Sequence, residues 1–297
     1  MRTELDMKIT RVTRFCMLWL LSMFMAGCSN VIFIESANQN SRVDYVVIHA
    51  TSANFGESVR LLTTRTGYPV SAHYLIPDEN DPTYGHRRLR LHQFVKESQR
   101  AWHAGVSYWA GDTGLNARSI GIEIVNEFSC VSDTSAVEDS GPEALVCDFP
   151  PFSEAQIEML IELLRGIQQR HPRIGPLDFV AHSDIAVPHR RRSDPGPLFP
   201  WRRLYDEGIG AWYDEETRLR YMAQFEDRLP AVERLQAALL RLGYLVEPTG
   251  ELDHRTRFAV RAFQLHFRPS DYSGEPDVET AAILWSLIDK YRGGFLP

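Results

Sequence analysis

Val43 to Ile48 is apolar on both faces apart from Asp44, the pattern of a strand buried in the middle of a sheet, and it runs directly into His49. Apolar runs at His73–Ile76, Leu91–Val95, Ile120–Asn126 and Leu177–Ala181 predict further strands. Ser153-Glu154-Ala155-Gln156 reads as a capping box, and Ile157, Leu160, Ile161 and Leu164 then recur at helical spacing, predicting a helix over 153–170. Pro195-Gly196-Pro197 and Pro200 break any regular element, and Trp201 to Tyr213 reads as a short helix with a closing turn. Beyond about residue 225 the texture changes to three apolar stripes: Val232, Leu235, Leu239 and Leu242, ended by Gly243; Ala259, Ala262, Phe263 and Phe267; and Ala281, Leu284, Trp285 and Ile288, behind an Asp277 cap. Strands mixed with helices predict an α/β or α+β domain, and the stripes predict a small C-terminal three-helix bundle.

The 297 residues are 44% hydrophobic and 24% charged, enough for one sizeable core and a smaller one, which excludes a disordered chain and a polytopic membrane protein. A net charge of −7 without a long run of either sign argues against a nucleic-acid partner. Arg2, Lys8, Arg11 and Arg14 precede a short apolar run from Phe15 to Ala26, which is the layout of a signal peptide over residues 1–27 rather than of a membrane-spanning helix. Met25-Ala26-Gly27-Cys28 resembles the lipobox of bacterial lipoproteins, which implies acylation of Cys28. Ser29 after that cysteine implies sorting to the outer membrane, lipid-anchored and facing the periplasm. Residues 28–42 then form a polar tether, with a Val31–Ile34 patch expected to pack on the domain. Loss of Cys16 with the signal leaves Cys130 and Cys147 in an oxidising compartment, so a disulfide is expected between them. It would staple a polar surface loop of about 18 residues, a constraint of about 3 kcal/mol by loop entropy; a two-cysteine metal site lacks nearby partners.

Three residues carry candidate metal chemistry. His49 and His182 each follow an apolar strand, and Asp194 heads a proline-rich turn. Two imidazoles and a carboxylate oxygen leave a zinc ion one position for water, whose pKa then falls near 7. Singly, each reads first as a satisfied structural histidine or a turn aspartate. Glu123 sits in the strand Ile120–Val125 opposite the isoleucine face, where a carboxylate needs either a salt bridge to an arginine or a chemical role, such as general base beside a metal.

Val47-Ile48-His49-Ala50-Thr51, Ser71-Ala72-His73-Tyr74-Leu75-Ile76, Ala101-Trp102-His103-Ala104-Gly105, Ser119-Ile120-Gly121-Ile122-Glu123 and Ala181-His182-Ser183-Asp184-Ile185-Ala186 resemble, in order, the motifs of zinc-dependent N-acetylmuramoyl-L-alanine amidases of type 2. Asp194-Pro195-Gly196-Pro197-Leu198-Phe199-Pro200-Trp201 matches the family's ending. The resemblance implies an amidase domain over 43–213 with a mixed central sheet flanked by helices. Residues 228–297 are similar to a three-helix peptidoglycan-binding module. The amidase resemblance further implies zinc on His49, His182 and Asp194, with Glu123 activating water for hydrolysis of the muramoyl–L-alanine amide in peptidoglycan and muropeptides. Where the family has a lysine two residues before the aspartate, this chain has Arg192, which keeps the charge for an oxyanion; Arg190 and Arg191 are neighbouring substitutes. Ala50, Thr51, Trp102, His103 and Ala104 take groove positions by motif, although Trp102 equally suits a core. A non-catalytic peptidoglycan binder of the same fold is the competing reading. A zinc peptidase of another class lacks its His-Glu-x-x-His helix here.

Overall fold

Tyr45–Ala50 forms β1, and all of its residues are buried, as a two-sided apolar run requires. The computed structural model describes residues 41–132, 145–187 and 192–294, together with Ile34, Ser36, Asn38 and Pro142. The signal segment, Cys28 and most of the tether lie outside the described residues; Ile34, the described member of the tether's apolar patch, is exposed. Residues 1–40 and 41–297 are separate units. Among the described residues no helix is long and apolar enough to cross a membrane.

β1 extends past its predicted end, so His49 lies within the strand. It is flanked in parallel by β6 (Ser119–Ile124) and by β9 (Phe179–Ala181). β2 (Tyr74–Ile76) runs parallel to β6, and β3 (His92–Gln93) is an antiparallel edge, giving the order β3-β2-β6-β1-β9. The sheet is therefore mixed, as expected. The predictions at 91–95, 120–126 and 177–181 each ran past the observed strand, the first and last for clear physical reasons. Leu91 is exposed, so the run at 91–95 pairs only at β3. Pro176 and Asp178 fold the start of 177–181 into a 3₁₀ turn, in which the Asp178 side chain accepts from the Gly175 N–H at 2.7 Å.

One helix and four short strands were not anticipated individually. Helix α1 (Phe55–Thr63) is capped by Asn54, whose side chain accepts from the Glu57 N–H. β4 (Tyr108–Trp109) and β5 (Asp112–Thr113) form one hairpin. β7 (Ser129–Ser132) and β8 (Leu145–Asp148) form another, in which Cys130 and Cys147 face each other in register and are disulfide-bonded. The expected stapled loop thus begins and ends as paired strands, and most of its interior lies outside the described residues.

Helix α2 (Glu154–Arg170) has the reciprocal capping box of Ser153 and Gln156, a feature that stabilises a helix start by about 1 kcal/mol, and buries Ile157, Leu160, Ile161, Leu164 and Ile167. Gln156 also donates to the Val125 carbonyl at 2.8 Å, tying the helix start to the chain leaving β6. The five-residue helix α3 (His182–Ala186) follows β9 without a break.

After α4 (Trp201–Asp206), the C-terminal stripes become α6 (Val232–Leu242), α7 (His254–Phe267) and α8 (Val278–Arg292). A further helix, α5 (Glu215–Phe225), packs on α8, so the expected three-helix bundle gains a fourth member. Polar and apolar contacts both hold it: Arg218 to Glu279 at 3.0 Å, the Tyr221 hydroxyl to Asp289 at 2.7 Å, and buried Phe225 edge-on against Trp285 with ring centres 5.4 Å apart. The bundle shares one hydrophobic core with the sheet domain. Trp109 meets Tyr244 edge-on with ring centres 4.9 Å apart, and the Ala110 N–H donates to the Gly243 carbonyl at 2.9 Å. Gly243 has φ +151°, and a Cβ there would stand 2.8 Å from Trp109.

Candidate metal centre and active site

Parallel pairing of β1 with β6 sets His49 directly beside Glu123. On the other side of β1, β9 ends at Ala181 and α3 begins on His182. Asp194 returns to the same point, and its carbonyl accepts from the Ser183 N–H at 3.1 Å. The side chains of His49, His182 and Asp194 are buried and offer ligand atoms that all lie within 4.8 Å of one another; no other such group occurs among the described residues.

Asp194 Oδ2 lies 3.0 Å from His182 Nδ1 and 3.4 Å from His49 Nδ1. Ligands about 2.0–2.1 Å from a tetrahedral zinc stand roughly 3.3 Å apart along each edge, so these separations suit that ion. The electrostatics suit it too. Burial, and then the neighbouring His182, push the His49 imidazole down to about 4, against the pull of Asp194, so the ring is neutral at ordinary pH. Burial works to raise the Asp194 carboxyl, but the charge and hydrogen bonds of His182 and His49 outweigh it and hold it far below the usual carboxylate range.

His103 fixes which nitrogen of His49 faces the cluster. The Ser119 hydroxyl donates to the Leu115 carbonyl at 2.7 Å, so its oxygen accepts from His103 Nε2 at 3.1 Å. His103 Nδ1 is then an acceptor, 3.0 Å from His49 Nε2. His49 must donate from Nε2, leaving the Nδ1 lone pair toward Asp194 and His182. Burial, followed by the charge of His49, pushes His103 well below the usual histidine range, keeping the relay neutral. Gly121 makes room for that ring, since a Cβ there would lie 2.3 Å from His103 Cγ.

Glu123 is partly buried, and its buried Oε2 has no hydrogen-bond partner among the described residues. No described arginine forms the alternative salt bridge with it. Burial and then the negative charge of Asp194 push its carboxyl up to about 8, with Arg192 opposing.

These groups open into a cavity of about 490 Å³, which Ala50, Thr51, Trp102, His103 and Arg192 also line. Trp102 is 47% exposed, so it stands at the rim rather than in the core. His103 borders the cavity but chiefly backs His49. Ala104 is a correction: it is fully buried, and Asn116 Oδ1 accepts its N–H at 2.8 Å and that of His103 at 2.9 Å. Arg192 is exposed, and Arg190 and Arg191 lie outside the described residues. Leu61 and Leu62 of α1, Asn116 and Phe128 also line the cavity and were missed. The Asn54-to-Glu57 cap was a readable signal for α1, whereas the Asn116 clamp left none.

A central parallel strand presenting such a trio beside a glutamate with a buried carboxylate oxygen is the architecture of an amide hydrolase of the cell wall, and the chain belongs to the N-acetylmuramoyl-L-alanine amidase family, which it matches over residues 39–197. Residues 228–284 match a proposed peptidoglycan binding domain. Among particular relatives, N-acetylmuramoyl-L-alanine amidase AmiD of Escherichia coli (strain K12) is 42% identical over 251 residues, 84% of either chain. The crystal structure of AmpDH3 from Pseudomonas aeruginosa superposes with a TM-score of 0.78 at 44% identity, covering 90% of this chain and all of that one. E. coli AmiD in complex with anhydro-N-acetylmuramic acid-L-Ala-D-gamma-Glu-L-Lys gives 0.70 at 40% identity, covering 87% of this chain and 93% of that one.

Proposed function

We propose that this chain hydrolyses the amide between the lactyl group of N-acetylmuramic acid and L-alanine in peptidoglycan and muropeptides, with one Zn²⁺ held by His49, His182 and Asp194. The observation that carries the reading is the buried Oε2 of Glu123, without a partner among the described residues, in the cavity onto which the three donors converge. Zn²⁺ held there supplies a Lewis acid that polarises the amide carbonyl and brings the pKa of water near 7.

The chain's own residues do the rest. Glu123 accepts a proton from the attacking water as the new C–O bond forms, and returns it to the amine of L-alanine as the C–N bond breaks. Glu123 must be ionised to do so, and a cation held by the three donors would offset the burial that raises its carboxyl. Arg192, at the cavity wall, offers positive charge to the developing oxyanion, and Trp102 offers a flat face at the rim for a sugar or peptide stem. Solved complexes of AmpDH3 with anhydromuramic pentapeptide and of AmiD with an anhydro-muramoyl peptide support this substrate class. A purely binding role would leave Glu123 with nothing to do, which favours catalysis.

Purified peptidoglycan treated with the soluble chain from residue 29 onward should release new amino-terminal L-alanine, and a chelator or Glu123→Ala should each abolish release. A folded, zinc-loaded chain that releases none would overturn the proposal.

The lipobox-like sequence and Ser29 support a second part of the proposal: acylation of Cys28 and anchorage in the outer membrane, facing the periplasm. Labelled palmitate should enter the full-length chain and not Cys28→Ser; equal labelling of both would refute it. The C-terminal helices are proposed to contact the wall, on the strength of their family match.

A further inference from the structure

Asp184 lies two residues after His182 in α3, a helix of five residues that is too short to hold its shape unaided. Its carboxylate is fully buried and accepts three hydrogen bonds of 2.7 Å. One comes from the backbone N–H of Ala181, the residue before His182, and closes the turn that presents the metal ligand. The other two come from the C-terminal module: the Tyr244 hydroxyl, just after α6, and His266 Nδ1, in the last turn of α7.

Both donors are themselves held firmly. Tyr244 is fully buried and meets Trp109 edge-on. His266 lies flat against Trp201 and Phe267, with ring centres 3.8 and 4.0 Å away. Neither lines the metal cavity. Burying a carboxylate among donors costs several kcal/mol of desolvation, and well-packed apolar side chains hold two surfaces together as well or better. Adhesion alone therefore does not account for a charged group at this junction. A group that specifies geometry does.

We propose that Tyr244 and His266 are positioning residues of the metal centre: by gripping Asp184 they fix the turn that carries His182, so the C-terminal module completes the amidase site. This rests on the metal reading of His49, His182 and Asp194. It gives the module a role separate from any contact with the wall.

The test uses the soluble chain from residue 29 onward and compares Tyr244→Phe, His266→Leu and His266→Asn. Asparagine keeps a donor where Nδ1 stands but loses the ring stacking, as leucine does. Zinc affinity is measured by competition with a chromophoric chelator, and site geometry by the visible spectrum of the Co²⁺ form. Turnover is followed on a soluble muropeptide. Tyr244→Phe and His266→Leu should raise the zinc dissociation constant about tenfold, the lower end of the effect of groups that orient metal ligands, and shift the Co²⁺ bands. His266→Asn should recover most of that affinity although its melting temperature falls as far as that of His266→Leu. Wild-type affinity and spectrum in folded Tyr244→Phe and His266→Leu would overturn the inference, as would equal losses in His266→Asn and His266→Leu. A wild-type chain that binds no zinc would remove the metal reading and this inference with it.

Discussion

Glu123 offers a quantitative test that needs neither substrate nor metal. In the metal-free chain its carboxyl is raised from 4.5 to about 8, so the folded state holds this proton more tightly than the unfolded one. Between those two values the folded chain binds more protons, and stability must fall as pH rises. The contribution is fully present below pH 4.5, declines across the window and is gone above about 8. At 1.36 kcal/mol per pKa unit, the full swing is at most about 5 kcal/mol. Glu123→Gln keeps the shape and cannot ionise, so it should lack this term. Denaturant unfolding of chelator-treated wild type and Glu123→Gln, at intervals from about pH 4.5 to 9, gives the difference directly. The variant should become progressively more stable than wild type toward the alkaline end. Parallel stability curves would refute the reasoning, because they would mean that Glu123 is ordinarily solvated and has no buried carboxyl to offer a reaction.

Two further substitutions probe the surroundings. Gly121→Ala places a Cβ 2.3 Å from His103 Cγ and must displace the ring that accepts from His49; a loss of about 1–3 kcal/mol, and about tenfold in zinc affinity, is expected from melting with and without zinc. Unchanged melting and affinity would remove His103 from its positioning role. Arg192→Ala should lower kcat by about 10²-fold on a soluble muropeptide while leaving zinc affinity alone, with Arg192→Lys recovering most of the rate; full turnover in Arg192→Ala would take the oxyanion away from this residue.

What the sequence made legible was whatever one segment decides for itself. The two-sided apolar run at 43–48 could only be a central strand, and the Ser153–Gln156 box with its apolar stripe could only start a helix. The metal donors were nameable because imidazoles at strand ends and a turn aspartate are the right chemical types, although their meeting depends on the β6-β1-β9 order that no local pattern contains. What stayed hidden was pairwise. Helix α5 is held to α8 by pairs, Arg218 with Glu279 and Phe225 with Trp285, and the strands around Cys130 and Cys147 needed each other. His103 looked like a groove residue because its motif borders the cavity; only the Ser119 contact reveals its second face. Asp184 sat inside a recognised motif, yet its partners lie 60 and 82 residues away.

The common core of sheet and C-terminal helices, joined at Trp109, Tyr244 and Trp201, sets what the enzyme can reach. A binding module on a flexible leash raises the local concentration of substrate to the millimolar range throughout the sphere the leash can sweep, and lets the catalyst graze within it. Here a glycan strand gripped by the C-terminal helices would instead stand at a fixed vector from the cavity. Cleavage would then fall at a set distance from the point of grip, making the molecule a gauge rather than a tether.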